Sequence, residues 1–343
     1  MASTITKKKA PGIALVGSET LLGREIQDVL QERKTGAVVH TFSASAEGNF
    51  GEDEGEPIYV EPLGMESIRD AQTVIHAGSG VGAAKAYDLA AAAGGRLKLI
   101  DCTGQLEDRP EARLISASAI RSELAGSWLF VVPHPAASAL VLVLSRLAKK
   151  AKVQQAIAHV FEPASERGKS GISELHQQTM SLLTFKPLDK AIYDAQLSFN
   201  LLPQFGENAP LKLSSVERRI ERHVASLLSR EPNRASIPIP SLRVLQVPVF
   251  HGYSISLWVE FESAVAPKAI EEALASAQIE VRGQKDEVPS NVGATGQSGL
   301  IAGDIRTDAN NPRAAWISVA GDNLRLTADF AADLIRESQA GEA

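Results

Sequence analysis

The chain has little with which to cross-link, cross a membrane or hold a metal. Cys102 is the only cysteine among 343 residues, so no internal disulfide can form, and a reducing, cytoplasmic setting fits. No uninterrupted apolar run is long enough for a membrane helix, so no membrane partner is expected. Basic charge is not in excess: the net charge is −6, which excludes the electrostatic footprint of a nucleic-acid binder. The seven histidines are scattered without paired ligand spacing, so no metal site is expected. Lys7-Lys8-Lys9 precedes a strand and a glycine turn rather than an apolar signal-peptide core, and it reads as a solvated tail. Internal repeats and low-complexity tracts are absent.

What is there is an ordinary globular composition, 44% hydrophobic and 22% charged, in a chain long enough for two domains. Gly12 to Val16 reads as a short buried strand. The turn Gly17-Ser18-Glu19-Thr20-Leu21-Leu22-Gly23 follows and opens a helix to about Glu32. Strand, glycine turn and helix form the place for a dinucleotide fingerprint. Gly17 suits the tight turn and Gly23 the close packing of helix on strand. Thr20 stands where a middle glycine would let backbone approach a pyrophosphate, and Glu19 adds negative charge nearby. The loop is therefore either a cofactor site or a βα unit that keeps the fold without the ligand. Ala37–Phe42, Thr73–Ala77 and Arg96–Asp101 read as further strands, with an alanine-rich helix over Ala83–Ala93.

A second strand–turn–helix lies at Val131-Val132-Pro133-His134-Pro135-Ala136-Ala137-Ser138-Ala139-Leu140. The helix runs to about Lys150, and its Leu140–Leu147 stretch is too apolar all round to be exposed. A helix N-terminus offers free N–H groups and a positive dipole, which stabilise a thiolate or an oxyanion. Strands at Val153–Phe161, Ile255–Phe261, Ile279–Val281 and Ala315–Val319 follow, with helices between them. One of these helices carries an apolar stripe at Val216, Ile220, Val224 and Leu227, with Ser215 placed as its cap.

His134-Pro135-Ala136-Ala137 resembles the nucleophile loop of aspartate-semialdehyde dehydrogenases, which reads Asn-Pro-Asn-Cys, and Ala137 falls on the cysteine. Other stretches resemble that family in order. They are the Gly17–Gly23 turn, Ser43-Ala44-Ser45, His76-Ala77-Gly78-Ser79, the Glu162–Leu175 segment, Phe199-Asn200-Leu201-Leu202-Pro203, and Asp322-Asn323-Leu324-Arg325. The resemblance runs from Gly12 to Arg336. It implies an α/β chain: a Rossmann-like parallel-sheet domain (1–133 and 322–343) and an α+β dimerisation and substrate domain with a mixed sheet (134–321). It also implies a homodimer, and thiolate attack on an acyl group with hydride transfer to or from NADP. The cofactor positions it implies are Gly17, Thr20, Gly23, Ser43, Ser45, Gly78 and Asn323, with Arg219 holding an anion.

The departures fall on the chemistry. Ala137, Glu162, Gln246 and Tyr253 stand where the family places its cysteine, glutamine, arginine and histidine. Glu107 replaces another anion-gripping arginine. Two residues present themselves as relocated catalysts. Cys102 is a displaced nucleophile or a packing cysteine. His251 shares the facing of Tyr253 on an extended strand and takes over the acid–base role if Gly252 permits a shift. Ser45, in place of an arginine, offers no cation to a 2′-phosphate, Glu47 makes the loop acidic, and Leu326-Thr327 replaces a Lys-Gly pair. NADP binding is expected to be weak or absent, with any residual affinity favouring NAD. Two functions follow. One is a non-catalytic paralogue acting through dimerisation or through a protein or metabolite partner. The other is an NAD(P)-dependent semialdehyde dehydrogenase of amino-acid (Lys/Thr/Met) biosynthesis with relocated catalytic residues.

Overall fold

The computed structural model describes residues 12–45, 49–53, 56–66, 68–117, 120–124 and 126–340. Lys7, Lys8, Lys9 and Glu47 lie outside them. The chain divides into two compact units: Met1–Ile115, Ala119–Val132 and Ala328–Ala343 in the first, Ser116–Ser118 and Pro133–Thr327 in the second. The return to the first unit comes at Ala328, inside a helix, rather than at Asp322.

In unit 1, strands alternate with helices: β1 (Gly12–Val16), α1 (Leu21–Glu32), β2 (Val38–Phe42), β3 (Asn49–Asp53), β4 (Glu56–Val60), β5 (Ala71–His76), α2 (Gly80–Ala92), β6 (Lys98–Asp101), β7 (Ala112–Leu114), α3 (Ile120–Glu123) and β8 (Leu129–Val131). Among the described residues six of these strands form one parallel sheet, in the order β2-β1-β5-β6-β8-β7. β3 and β4 form a separate antiparallel ribbon. Glu52, Asp53 and Glu56 lie in that ribbon.

Every residue of β1 is buried, as befits a strand covered on both faces. Ile13 and Leu15 enter one core with Ile26, Val29 and Leu30 of α1 and with Ala331, Leu334 and Ile335 of the helix that closes the chain. Ala14 and Val16 point the other way, into a core with Ala83, Ala86 and Ala90 of α2. The two-residue alternation of a strand thus feeds two layers of helices. The closing helix packs on this unit as expected. Arg33 of α1 ties to it through Asp329 at 2.5 Å and Asp333 at 2.7 Å.

Unit 2 contains α4 (Pro135–Lys150), β9 (Val153–Glu162), α5 (Gly168–Leu183), α6 (Leu213–Leu228), β10 (Ser241–Gln246), β11 (Tyr253–Phe261), α7 (Pro267–Leu274), β12 (Ile279–Val281), α8 (Asn291–Ala294), β13 (Leu300–Thr307), β14 (Ala314–Gly321) and the first turn of α9 (Asn323–Ala340). Among the described residues its sheet has six strands in the order β10-β9-β11-β14-β13-β12. β9 runs parallel to β10 and antiparallel to β11, so the sheet is mixed, as expected.

Two helices of this unit show what periodicity reads well and what it misses. Leu140, Val143, Leu144 and Leu147 of α4 are all buried, which the all-round apolar composition predicts. In α6 the stripe Val216, Ile220, Val224 and Leu227 is buried, but the cap differs from expectation. The helix starts at Leu213, and Ser215 sits inside its first turn with its hydroxyl donating to Lys212 O at 2.6 Å. The serine binds the carbonyl before the helix rather than a free N–H of its first turn, so local composition places the cap only approximately.

Leu144 makes the core claim testable. Leu144→Ala is expected to cost about 2–5 kcal/mol in urea unfolding, and Lys149→Ala at the helix end well under 1 kcal/mol. Equal effects would contradict a buried α4.

Candidate functional site

Unit 1 gathers three loops at the carboxyl ends of its strands. Gly17 follows β1 with φ +87°, and a Cβ there would lie 2.6 Å from Gly78 Cα, so both loops need bare backbone at this crossing. Gly17 N also donates to Phe42 O, at 2.7 Å. Thr20 is the N-cap of α1: its Oγ1 accepts from Gly23 N at 2.9 Å and lies 2.8 Å from both Gly17 O and Ala77 O. The hydroxyl is therefore turned into the loop. Glu19 Oε1 accepts from Ser43 Oγ at 3.1 Å and Ala44 N at 3.2 Å, so the carboxylate lies at the end of β2. Ser79 Oγ donates to Ala44 O at 3.2 Å and brings in the loop after β5. Gly17, Thr20, Gly23, Ser43 and Gly78 are thus brought together, while Ser45 is exposed at the rim. This bare-backbone cradle fits a dinucleotide's main body. A carboxylate at the end of β2 does not fit a 2′-phosphate.

Cys102 belongs to this unit and is a packing cysteine. Its thiol is buried among apolar residues and pushed well above its ordinary range by that burial, with Asp101 adding to the shift. A thiol held protonated is a poor nucleophile. The neighbouring buried His76 has both ring nitrogens engaged: Nδ1 lies 3.3 Å from Asp101 Oδ1 and Nε2 lies 3.0 Å from Ser79 O. Burial raises the Asp101 carboxyl, but His76, Thr103 and the Leu106 N–H outweigh it and hold the pKa below the ordinary value. The pair props the loop after β5.

Unit 2 gathers the other positions. Pro135 opens α4, and His134 caps it, its Nδ1 accepting from Ala136 N at 3.3 Å. His134 N donates to His223 Nδ1 of α6 at 3.0 Å. Burial pushes the His134 imidazole well below its ordinary pKa, helped by the positive fields of Arg219, His223 and Arg167. Ala137 follows in the first helical turn, fully buried. The helix start is built for a nucleophile, and a methyl group stands there.

Glu162 ends β9, and Gln246 ends β10 directly beside it in register. Gln246 Nε2 donates to Glu162 O at 2.7 Å, while its Oε1 is buried without a hydrogen bond. Arg167, at the end of a single 3₁₀ turn (Ala164–Arg167), makes a short contact with the Glu162 carboxylate. Burial opposes the guanidinium's charge, but Glu162 and Glu166 prevail and hold Arg167 above its ordinary pKa. Tyr253 is buried at the start of β11, and its ring centroid lies 6.0 Å from that of His134. Burial, reinforced by Glu166 and Glu162, pushes its hydroxyl well above 10, so it exchanges no proton near neutrality.

His251 lies in the bend before β11 rather than on an extended strand, because Gly252 takes φ +82°. The extended-strand geometry on which the facing shared with Tyr253 rests is absent there. Asn323 is buried and engaged inside unit 2: its Nδ2 donates to Glu166 Oε1 at 2.9 Å, and its Oδ1 accepts from Ser165 Oγ and Gly252 N. Sequence reading missed Arg167, Glu166, His134 and His223 as a group, because they meet only through folding.

The cluster therefore holds the carboxylates of Glu162 and Glu166, the Arg167 guanidinium and the His134 imidazole, with no thiol. Burial pushes Glu162 from 4.5 up to about 7 against the pull of Arg167, with Glu166 adding to the rise. The folded state then binds this proton more tightly than the unfolded chain, so its contribution to stability falls as pH rises through that window. Glu162→Gln removes the slope whatever constant offset comes from leaving Arg167 unpaired. The stability difference, wild type minus variant, is expected to shrink by on the order of 2 kcal/mol between pH 4.5 and 7.5. Urea midpoints at both pH values check it, and a difference that grows with pH would contradict the shift.

Residues 144–326 match the family model described as semialdehyde dehydrogenase, dimerisation domain. The chain is 27% identical to a USG-1 protein homologue of Azotobacter vinelandii, across 91% of this chain and 93% of that one. It is 28% identical to an aspartate-semialdehyde dehydrogenase of Rickettsia bellii, across 94% of each. Among solved structures, a probable aspartate-semialdehyde dehydrogenase from Pseudomonas aeruginosa superposes with a TM-score of 0.82 at 26% identity, covering 97% of this chain and 99% of that one. Two sheets of the expected kinds, the shared order of loops and a family model spanning more than half of the residues agree: the chain belongs to the aspartate-semialdehyde dehydrogenase family.

Proposed function

We propose that this protein is a non-catalytic paralogue of aspartate-semialdehyde dehydrogenase, which dimerises and acts through a bound metabolite or protein partner. The observation that carries this reading is Ala137, buried in the first turn of α4 where an attacking thiolate would be needed. Nothing nearby replaces it. The imidazole of His134 is engaged as a helix cap, and the Tyr253 hydroxyl is held protonated. Cys102 lies in the other unit with its thiol held protonated. The reaction needs a nucleophile above all, since removing one from a serine protease costs about a millionfold in rate.

Were NAD or NADP bound, it would supply hydride transfer. Gly17, Gly78 and the start of α1 would hold its main body. The remaining residues of this chain orient and exclude water; none of those above attacks an acyl carbon.

Purified protein given aspartate semialdehyde, phosphate and NAD or NADP is expected to produce no reduced nucleotide above background. Turnover abolished by Cys102→Ser would instead support the alternative, a working semialdehyde dehydrogenase with a relocated nucleophile.

The dimer rests on a second feature. Ile157, Trp258 and Trp316 lie in one cross-strand row of β9, β11 and β14, each half-exposed. A row of large apolar side chains across a sheet suits contact with a second copy. Light scattering is expected to give twice the 36.5 kDa chain mass. Ile157→Arg is expected to halve that mass with the circular dichroism unchanged. A monomeric wild type would refute the dimer.

A further inference from the structure

We infer that unit 2 binds a small organic monocarboxylate in a cleft along α4, apart from the positions that the family uses for its reaction. The cleft measures about 180 Å³. That is about six times the ~30 Å³ that one water occupies in the liquid, which leaves room for a short carbon chain with one charged head. Its walls belong wholly to unit 2, and positions 137, 162, 246 and 253 are not among them. The site therefore stands or falls separately from the non-catalytic reading above.

The spacing of residues along α4 creates the cleft. Ser138, Leu142, Ser145, Arg146 and Lys149 recur at steps of three and four, so they share one face of the helix. All five line the cleft. Leu140, Val143, Leu144 and Leu147 fill the core from the other sides. On the shared face Ser138, Leu142 and Arg146 are half-buried, and Lys149 is exposed at the end of the helix. Val141 and, from α6, Leu227 add a buried apolar wall.

Charge and hydrogen bonding set the class of ligand. The Arg146 guanidinium is anchored at the end of α7, its Nε donating to Ala273 O at 2.9 Å and its Nη2 to Ala275 O at 2.7 Å. Both partners are carbonyls, so the charge is held in place with no carboxylate paired to it, and most of its N–H donors stay unspent. Lys149, one turn on, likewise forms no ion pair among the described residues. Glu231, which is buried, is the one acid among the described lining residues, so the walls carry two cations to one carboxylate. A monoanion balances that sum. Ser145 is only 7% exposed, and its hydroxyl has no hydrogen-bond partner. A buried hydroxyl left so is costly, and a ligand oxygen against this wall would relieve it. Inorganic phosphate would match the cations but not the apolar wall. A carboxylate on a short chain matches both.

Ligand-observed nuclear magnetic resonance with butyrate tests the site on the intact protein. The wild type is expected to bind butyrate more tightly than acetate, by about fourfold per added methylene, because each methylene enters the apolar part of the cleft. Lys149→Glu, at the exposed end of the helix, is expected to weaken butyrate about tenfold at low ionic strength. Ser145→Ala is expected to weaken it too, while the urea midpoint without ligand holds or rises. No binding by the wild type, or unchanged affinity in both variants, overturns the site. Acetate or inorganic phosphate binding as tightly as butyrate overturns the carbon chain as part of the ligand. Tighter binding of 2-aminobutyrate, the zwitterionic counterpart, overturns the monoanion. Each of these results leaves the non-catalytic reading standing.

Discussion

A carboxylate buried in a protein needs a cation, and in unit 2 that need organises the neighbourhood of the family's reaction site. Glu162 ends β9 with no exposed surface, and Arg167 meets it after a single 3₁₀ turn. Removing two charges from water costs several kcal/mol per ion, and only close contact with further hydrogen bonds offsets that. The turn that delivers Arg167 also places Glu166 against Asn323. Asn323 in turn holds Ser165 and Gly252. The ion pair and these hydrogen bonds together tie the end of β9 and the 3₁₀ turn to the bend before β11 and the first turn of α9.

The same pair occupies positions that the resemblance ties to the family's chemistry. The resemblance places an amide at position 162 and a guanidinium at position 246; this chain has an acid and an amide there. The Arg167 guanidinium serves a protein carboxylate. The neighbouring Tyr253 and His134 are buried in protonation states that suit packing and capping. A thiol at position 137 would face an environment rearranged around an internal charge pair.

Unit 1 follows a different logic. Beside the buried His76–Asp101 pair, backbone contact and short polar side chains brace its loops. Gly17 and Gly78 cross where no Cβ fits, Thr20 and Ser79 bind carbonyls of neighbouring turns, and Glu19 closes the end of β2.

The sequence by itself determined the two α/β units, most strand and helix positions, the buried α4 and the apolar stripe of α6. These follow from the two- and 3.6-residue periods, which are local properties of the chain. It also determined that position 137 carries no thiol, since covalent structure needs no fold to read. Only the tertiary structure decided where Glu19 points, that the Thr20 hydroxyl turns inward, that Cys102 is held protonated and that His251 leaves the strand. It alone joined His134 to His223, 89 residues on, and Asn323 to Glu166, 157 residues away. Side-chain direction and the charge of distant neighbours depend on how segments pack. Local periodicity carries no record of either.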